Sequence, residues 1–398
     1  MEAVVQRFDR DALVGSLGLE PFRPRSPWLS GDLQTLRDTL RPVPLPPESG
    51  QHLPIPVDGD DQLLAVLDPS LQGAPRGLVL LMHGLAGSSD RGGLRRMGDT
   101  LQRRGFAVAR LNMRGAGAGR ALARGTYAAN SNRDLLPVLR RLRELSQELA
   151  PGGLPLLGMG ISLGGTKLLN ALLASAAERA AAGLSPEAPL FDGLVTISSP
   201  LDLQTCSRQI ERPRNRVYER WLLRRLVTQT LADPFGVSAS EREMLEGRGP
   251  GGPLRSIRAF DAAITAPRWG YRSVEHYYRE ASPLPKLLAA LERGTASAPL
   301  HQEPGSPLPP ALIVHAEDDP WVPVAATREL ALAAAAAAAR PGAPEARWPL
   351  QVLLTPLGGH NGFHAADDGP SGRGGCWTDR LTARWFEQLL ADQAPLVA

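Results

Sequence analysis

The segment Gly160-Ile161-Ser162-Leu163-Gly164 follows an apolar run, Leu154 to Met159, and precedes a helical pattern carried by Leu168, Leu169, Leu172 and Leu173. A serine with glycine two residues before and two after fits a sharp strand-to-helix turn, because the backbones there approach too closely for larger side chains. Such a turn pushes the hydroxyl of Ser162 out at the sheet edge. The helix start aims free N–H groups at any anion formed beside it. A serine hydroxyl is a poor nucleophile at neutral pH and needs a base. Two further strand ends offer the missing groups, in the order serine, acid, histidine that this turn calls for. Leu312-Ile313-Val314 leads into His315-Ala316-Glu317-Asp318-Asp319-Pro320, and Leu353-Leu354 leads into Gly358-Gly359-His360-Asn361-Gly362. The chemistry expected is acyl transfer. Ser162 attacks an acyl carbonyl, His360 takes the proton and hands it to the leaving alcohol, and Asp319 fixes the imidazole tautomer.

Asp319 is preferred to Asp318 because it stands four residues before Pro323 at the loop tip, and Asp318 stays open as the alternative. Whichever acid is unused is expected to be a solvated loop carboxylate. His364 is expected at the surface, and His315 as a satisfied polar residue beside the acid. An oxyanion needs two preorganised donors. One is expected from the backbone of Leu163, directly after the serine. The other is expected from Leu85 in the loop His83-Gly84-Leu85-Ala86-Gly87-Ser88-Ser89, with His83 holding that loop in shape.

These loops need a sheet to carry them. Six short apolar runs alternate with helical segments: 77–82, 106–111, 154–159, 193–197, 311–314 and 350–354. Unbroken apolar runs mark strands buried on both faces, and the alternation places them in a mostly parallel sheet covered by helices. Between them, Leu135, Leu139, Leu142 and Leu145 have helical spacing across 134–149. Asp58-Gly59-Asp60-Asp61 between two apolar runs predicts a hairpin ahead of that sheet. Ile197 and Ala311 are more than a hundred residues apart, where a crossover needs roughly 30. An insertion is therefore expected, with helical patterns across 206–285. Residues 297–310 read as a Pro-rich linker, 331–340 as a plain surface helix, and 1–50 as a leader resting on the core formed by 51–205 and 286–398.

Composition narrows the partners. The 398 residues hold 44 Lys plus Arg against 41 Asp plus Glu, a net charge of +3. That is too small an excess for a nucleic-acid surface. Two cysteines, Cys206 and Cys376, build no disulfide framework and fit a reducing, cytoplasmic setting. No stretch is long enough for a transmembrane segment. The histidines lack the spacing of a metal site beyond His360 and His364, and no cofactor is expected.

Taken together, these motifs resemble the α/β-hydrolase superfamily, and within it the YheT-like (AB-hydrolase 4) family of serine esterases. The resemblance covers nearly the whole chain. It rests on Pro27-Trp28 and Gln34-Thr35 in the leader, on His83 to Ser89, on Asn112-Met113-Arg114-Gly115, and on Gly358 to Phe363. Most specific is Phe260-Asp261-Ala262-Ala263-Ile264-Thr265-Ala266, followed by Tyr277-Tyr278-Arg279 and Ser282. Asn361 stands where members often carry an apolar residue. The resemblance implies the α/β-hydrolase fold with a helical lid across 206–285. It also implies cleavage of carboxylic esters of short- or medium-chain acids, a small-molecule substrate, with acyl transfer to an alcohol or phospholipid cleavage as alternatives. Oligomeric state is left open.

Two rival readings compete. Gly158-x-Gly160 after a strand has dinucleotide-binding spacing, but the candidate strand is central and the next one ends in Ser198-Ser199-Pro200 rather than an acid. A non-catalytic binding protein should have lost one of the reacting groups or a pocket glycine, and here every position is filled.

Overall fold

A computed structural model describes residues 10–249, 251–293, 308–339, 350–369 and 374–393. Its centre is an eight-stranded sheet. The strands are β1 (Gln51–Asp58), β2 (Asp61–Asp68), β3 (Leu78–Met82), β4 (Ala107–Asn112), β5 (Leu156–Ile161), β6 (Gly193–Ile197), β7 (Ala311–Ala316) and β8 (Leu350–Thr355). The expected hairpin is present: β1 and β2 pair antiparallel around Gly59, whose φ of +55° is open to glycine at little cost. β2 pairs antiparallel with β4, and the remaining strands run parallel in the order β4-β3-β5-β6-β7-β8.

The apolar runs form strands because both faces of the sheet are covered. In β3, Leu78, Leu80 and Met82 face one core, with Leu135, Leu139 and Leu168, while Val79 and Leu81 face the other, with Met97, Leu101 and Trp385. The helices Asn132–Leu149 and Leu163–Leu172 therefore lie on one side, and Gly92–Arg103 and Trp377–Gln393 on the other. Each fully buried leucine contributes about 1.5–3 kcal/mol, so polar substitutions in β3 strike the centre of the molecule.

Between β6 and β7 the chain leaves the sheet. Helices Leu203–Ile210, Arg216–Leu231, Ala239–Leu245 and Val274–Ala281 follow, with a π-helical turn at Asp261–Thr265. They build a third apolar cluster from Ile210, Leu222, Leu226, Ile257, Phe260 and Ile264, which closes on Ala86 of the loop after β3. Of the Pro-rich segment, residues 297–307 lie outside the described residues. The alanine-rich helix begins earlier than its composition suggested, at Ala325, and turns Thr327, Leu330 and Ala334 inward.

The leader places the helix Gly31–Leu40, capped by the Ser30 hydroxyl accepting the Leu33 N–H, beside the loop after β8. Gln34 is the fastening. Its side-chain amide donates to the Trp28 and His364 carbonyls at 2.7 and 3.0 Å and accepts the His364 N–H at 2.8 Å. A neutral amide buried at 1 % exposure is tolerable because three hydrogen bonds offset its desolvation.

Candidate active site

Three loops at the C-terminal ends of β5, β7 and β8 converge. Ser162, directly after β5, has φ +54° and ψ −125°, a conformation costing about 1–3 kcal/mol for a residue with a side chain. The neighbouring glycines explain how it is held. A Cβ at Gly164 would stand 2.4 Å from the Met82 carbonyl oxygen and 2.6 Å from that of His83, and one at Gly160 would stand 2.4 Å from the Gly165 nitrogen. The Ser162 N–H donates to Ile197 at 2.8 Å, tying the turn to β6.

His360 lies beside it. Its Nε2 is 3.0 Å from the Ser162 Oγ, and its Nδ1 is 2.8 Å from Asp319 Oδ2. The Asp319 carboxylate is fully buried but not isolated, since Oδ1 accepts the N–H groups of Trp321 and Val322 at 2.8 and 2.9 Å. Burial alone would raise its pKa. The facing imidazole of His360 and the neighbouring groups outweigh it and hold the carboxyl below its ordinary value. An ionised Asp319 accepts a proton-bearing Nδ1, which leaves Nε2 as the acceptor for the serine hydroxyl. The Trp321 ring covers the imidazole, with centroids 4.5 Å apart.

His315 is buried and satisfied, as expected. Its Nε2–H donates to the Val322 carbonyl at 3.0 Å and its Nδ1 accepts from Thr327 at 2.9 Å. Two other expectations are corrected. Asp318 is not a solvated loop carboxylate: its Oδ1 accepts the Gly359 N–H at 2.8 Å, one residue before His360, and its other oxygen is buried. His364 is not at the surface. It is 4 % exposed, with Nε2 3.1 Å from Asp38 of the leader helix. Asp318 depends on the loop after β8, 41 positions away, and His364 on leader residues more than 300 positions away, so local sequence had no means of showing either.

The loop after β3 packs on the serine, since a Cβ at Gly84 would stand 3.1 Å from that of Ser162. His83 staples this loop to the next, its Nδ1–H donating to Gly84 at 2.8 Å while Nε2 accepts the Met113 N–H at 3.2 Å. Burial lowers its pKa to about 4, so it is neutral and suited to this one-donor, one-acceptor role. Ala86, at φ +57°, donates its N–H to the Tyr127 hydroxyl at 2.7 Å. Leu163 opens the helix Leu163–Leu172, and first-turn amides have no partner within a helix. Leu85 and Leu163 both line a cavity of about 710 Å³ that also reaches Ser162 and His360.

Sequence reasoning assigned no role to Thr35, whose Oγ1 accepts the His360 N–H at 2.8 Å. It also gave none to Asp261, which lines the cavity and accepts from the Tyr278 hydroxyl at 2.8 Å. Burial pushes the Asp261 carboxyl up to about 6. The available signal was the segment Phe260 to Ala266 with Tyr277-Tyr278, which carries no role in the sequence alone; the π-helical turn beneath it shows only in the structure. Among the described residues, no group of His, Cys, Asp or Glu could hold a metal ion, and no helix is long and apolar enough to cross a membrane.

Residues 73–248 match the family described as serine aminopeptidase, S33. The chain is 29% identical to an Escherichia coli (strain K12) protein named "Putative esterase YheT", over 79% of this chain and 78% of that protein. It is 27% identical to phospholipase ABHD3 of Mus musculus over 53% of this chain, spanning about half of that relative, 47%. Among solved structures, a soluble variant of monoglyceride lipase from Saccharomyces cerevisiae aligns with 16% identity and a TM-score of 0.47, covering 87% of this chain and 99% of that one. The sheet order is that of the α/β-hydrolase fold, and residues 73–248 are similar to a family of such hydrolases. The chain is similar to the YheT protein, and that likeness together with the matched family supports a hydrolase of carboxylic esters.

Proposed function

We propose that the chain cleaves esters of short- or medium-chain acids through an acyl-enzyme on Ser162. The observation that carries this reading is the unbroken hydrogen-bond series from Ser162 through His360 to Asp319 at the wall of an apolar cavity. The hydroxyl proton passes to His360 Nε2 as Ser162 Oγ bonds to the carbonyl carbon. The imidazolium, stabilised by Asp319, then protonates the leaving alcohol, and water repeats the sequence to release the acid. The backbone N–H groups of Leu163 and Leu85 receive the oxyanion. Gly160 and Gly164 keep the turn tight. Residues 206–285 act as the lid over the cavity and shape the acyl chain's space. The free cysteines support a cytoplasmic setting.

A second reading keeps the same three residues and changes the substrate to a phospholipid, favoured by the likeness to phospholipase ABHD3. Acyl transfer to an alcohol would differ only in which nucleophile empties the acyl-enzyme.

Labelling with a fluorophosphonate probe, followed by mass mapping, tests the reading. The expected adduct is on Ser162. Ser162→Ala is expected to lower kcat on p-nitrophenyl esters by about 10⁴ or more with folding intact. Retained turnover would remove Ser162 from the mechanism. A chain-length series and rising ethanol concentration then separate the acyl preference and the transfer reaction.

A further inference from the structure

At the mouth of the cavity, two arginines share one aromatic ring. The guanidinium carbon of Arg225 lies 5.1 Å from the centre of the Trp221 ring, and that of Arg91 lies 5.9 Å from it. All three side chains line the cavity. The ring face attracts both cations and holds two like charges near each other. Arg225 is fixed further by its Nε–H, which donates to the Ala86 carbonyl at 3.1 Å, one residue from Leu85.

Arg179 is buried among the backbone carbonyls of Leu172, Ala174, Pro186 and Ala188, and three other buried arginines are neutralised by carboxylates. Arg96 pairs with Asp379 at 2.6 Å, Arg110 with Asp68 at 2.6 Å and Arg114 with Asp134 at 2.7 Å. Among the described residues, Arg91 and Arg225 have no such carboxylate. The acid next in the chain, Asp90, accepts the Ser88 hydroxyl and offsets Arg91 only in part. Burial first, and then the charge of Arg225, pull the Arg91 guanidinium below its usual pKa. A bound anion would relieve that cost.

An independent feature points the same way. The helix Gly92–Arg103 starts directly after Arg91, and no side chain caps it. Its first residues, Gly92 and Gly93, line the same cavity, and nothing lies within 4 Å of where a Gly92 Cβ would stand. A twelve-residue helix offers free amides and the positive end of its dipole there.

We propose that Arg91, Arg225 and the first turn of the helix Gly92–Arg103 form a subsite for an anionic group on the substrate, a phosphate or a carboxylate. This rests on the reading of the cavity as an ester site. The forked guanidinium groups suit an oxyanion, which they can grip with two parallel hydrogen bonds each. The apolar interior behind them takes a hydrocarbon chain. The favoured substrate class is therefore an amphiphilic ester with a fixed negative charge, and the charge sits beside the loop that carries Leu85.

Calorimetric titration with hexyl phosphate, hexanoate and hexanol tests this without turnover. Hexyl phosphate or hexanoate is expected to bind at least about 10-fold more tightly than hexanol, the scale of one charge-assisted hydrogen bond. The stronger of the two anions identifies the group. Arg91→Gln is expected to remove that margin and Arg91→Lys to keep most of it, which separates lost charge from lost folding. Equal binding of all three ligands, or an unchanged margin in Arg91→Gln, would leave the arginines as solvated cations and overturn the subsite. Repeating the titration on Ser162→Ala keeps the two readings apart. Anion binding with no ester turnover in the wild type would sink the acyl-enzyme and spare the subsite.

Discussion

Thr35 holds His360 from the other end of the chain: its Oγ1 accepts the His360 N–H at 2.8 Å and donates its own proton to the Gly31 carbonyl at 2.7 Å. A Cβ at Gly359 would stand 2.2 Å from that same Gly31 oxygen. The leader helix and the histidine loop are thus one packed unit, and the imidazole's position depends on residues that touch no reacting atom. Thr35→Val keeps the shape and removes the acceptor. Leaving the buried N–H unpaired costs about 1–3 kcal/mol, so turnover on a p-nitrophenyl ester is expected to fall about 10-fold with a lower melting temperature. Thr35→Ser is expected to restore both. Unchanged kinetics in the valine variant would make the leader a mere cover.

The two adjacent acids are expected to part company on mutation. Asp319→Asn puts an amide where a carboxylate sets the tautomer of His360, and kcat is expected to drop by about 10⁴, as in serine triads generally. Asp318→Asn still offers a carbonyl oxygen to the Gly359 N–H and is expected to stay within a few-fold of wild type. Asp318→Ala loses that acceptor and is expected to cost about 1 kcal/mol of stability. Steady-state kinetics and thermal melts of the three variants check the ranking, and the reverse order would exchange the two roles.

The parts of this molecule that were readable from the chain are those built by local pattern. The mostly apolar runs of β3 to β8, the Asp58–Asp61 hairpin and the glycine spacing around Ser162 each declare themselves within a few residues. The contacts that were not readable are long-range. His364 looks like a surface residue until Gln34 and Asp38 cover it. Asp318 looks like a solvent-facing carboxylate until Gly359 donates to it. Gln34-Thr35 was visible as a pattern, but no feature of the leader says which loop it will meet. Arg91 and Arg225 lie on separate elements, and only the shared ring of Trp221 shows that they lie together.

Gly164 offers a test of the tight turn that leaves the reacting groups untouched. Its would-be Cβ meets two backbone carbonyls, of Met82 and His83, that cannot rotate away. Gly164→Ala is expected to destabilise the fold by about 1–3 kcal/mol, the usual cost of overpacking, and to shift Ser162 away from His360. Fluorophosphonate labelling is expected to slow more than denaturant stability falls. If labelling keeps its wild-type rate, the turn tolerates more width than its backbone contacts imply.

Asp261 carries a pH signature. Burial holds its carboxyl up at about 6 in the folded protein, against roughly 4 in an unfolded chain. The folded state therefore binds the extra proton between those values, and the sign of linkage makes stability fall as pH rises through that window. The protonated form contributes fully below about pH 4, and the penalty is complete above about pH 6 to 7. Asp261→Asn removes the titration while keeping an acceptor for the Tyr278 hydroxyl. Relative to wild type, the variant is expected to gain stability, on the order of 1 kcal/mol, as pH rises from 4 to 7. Denaturant melts of both proteins across that range measure the difference. A flat difference would show that the carboxyl titrates as freely in the folded cavity as in water, and that the hydrogen bond from Tyr278 fully offsets its burial.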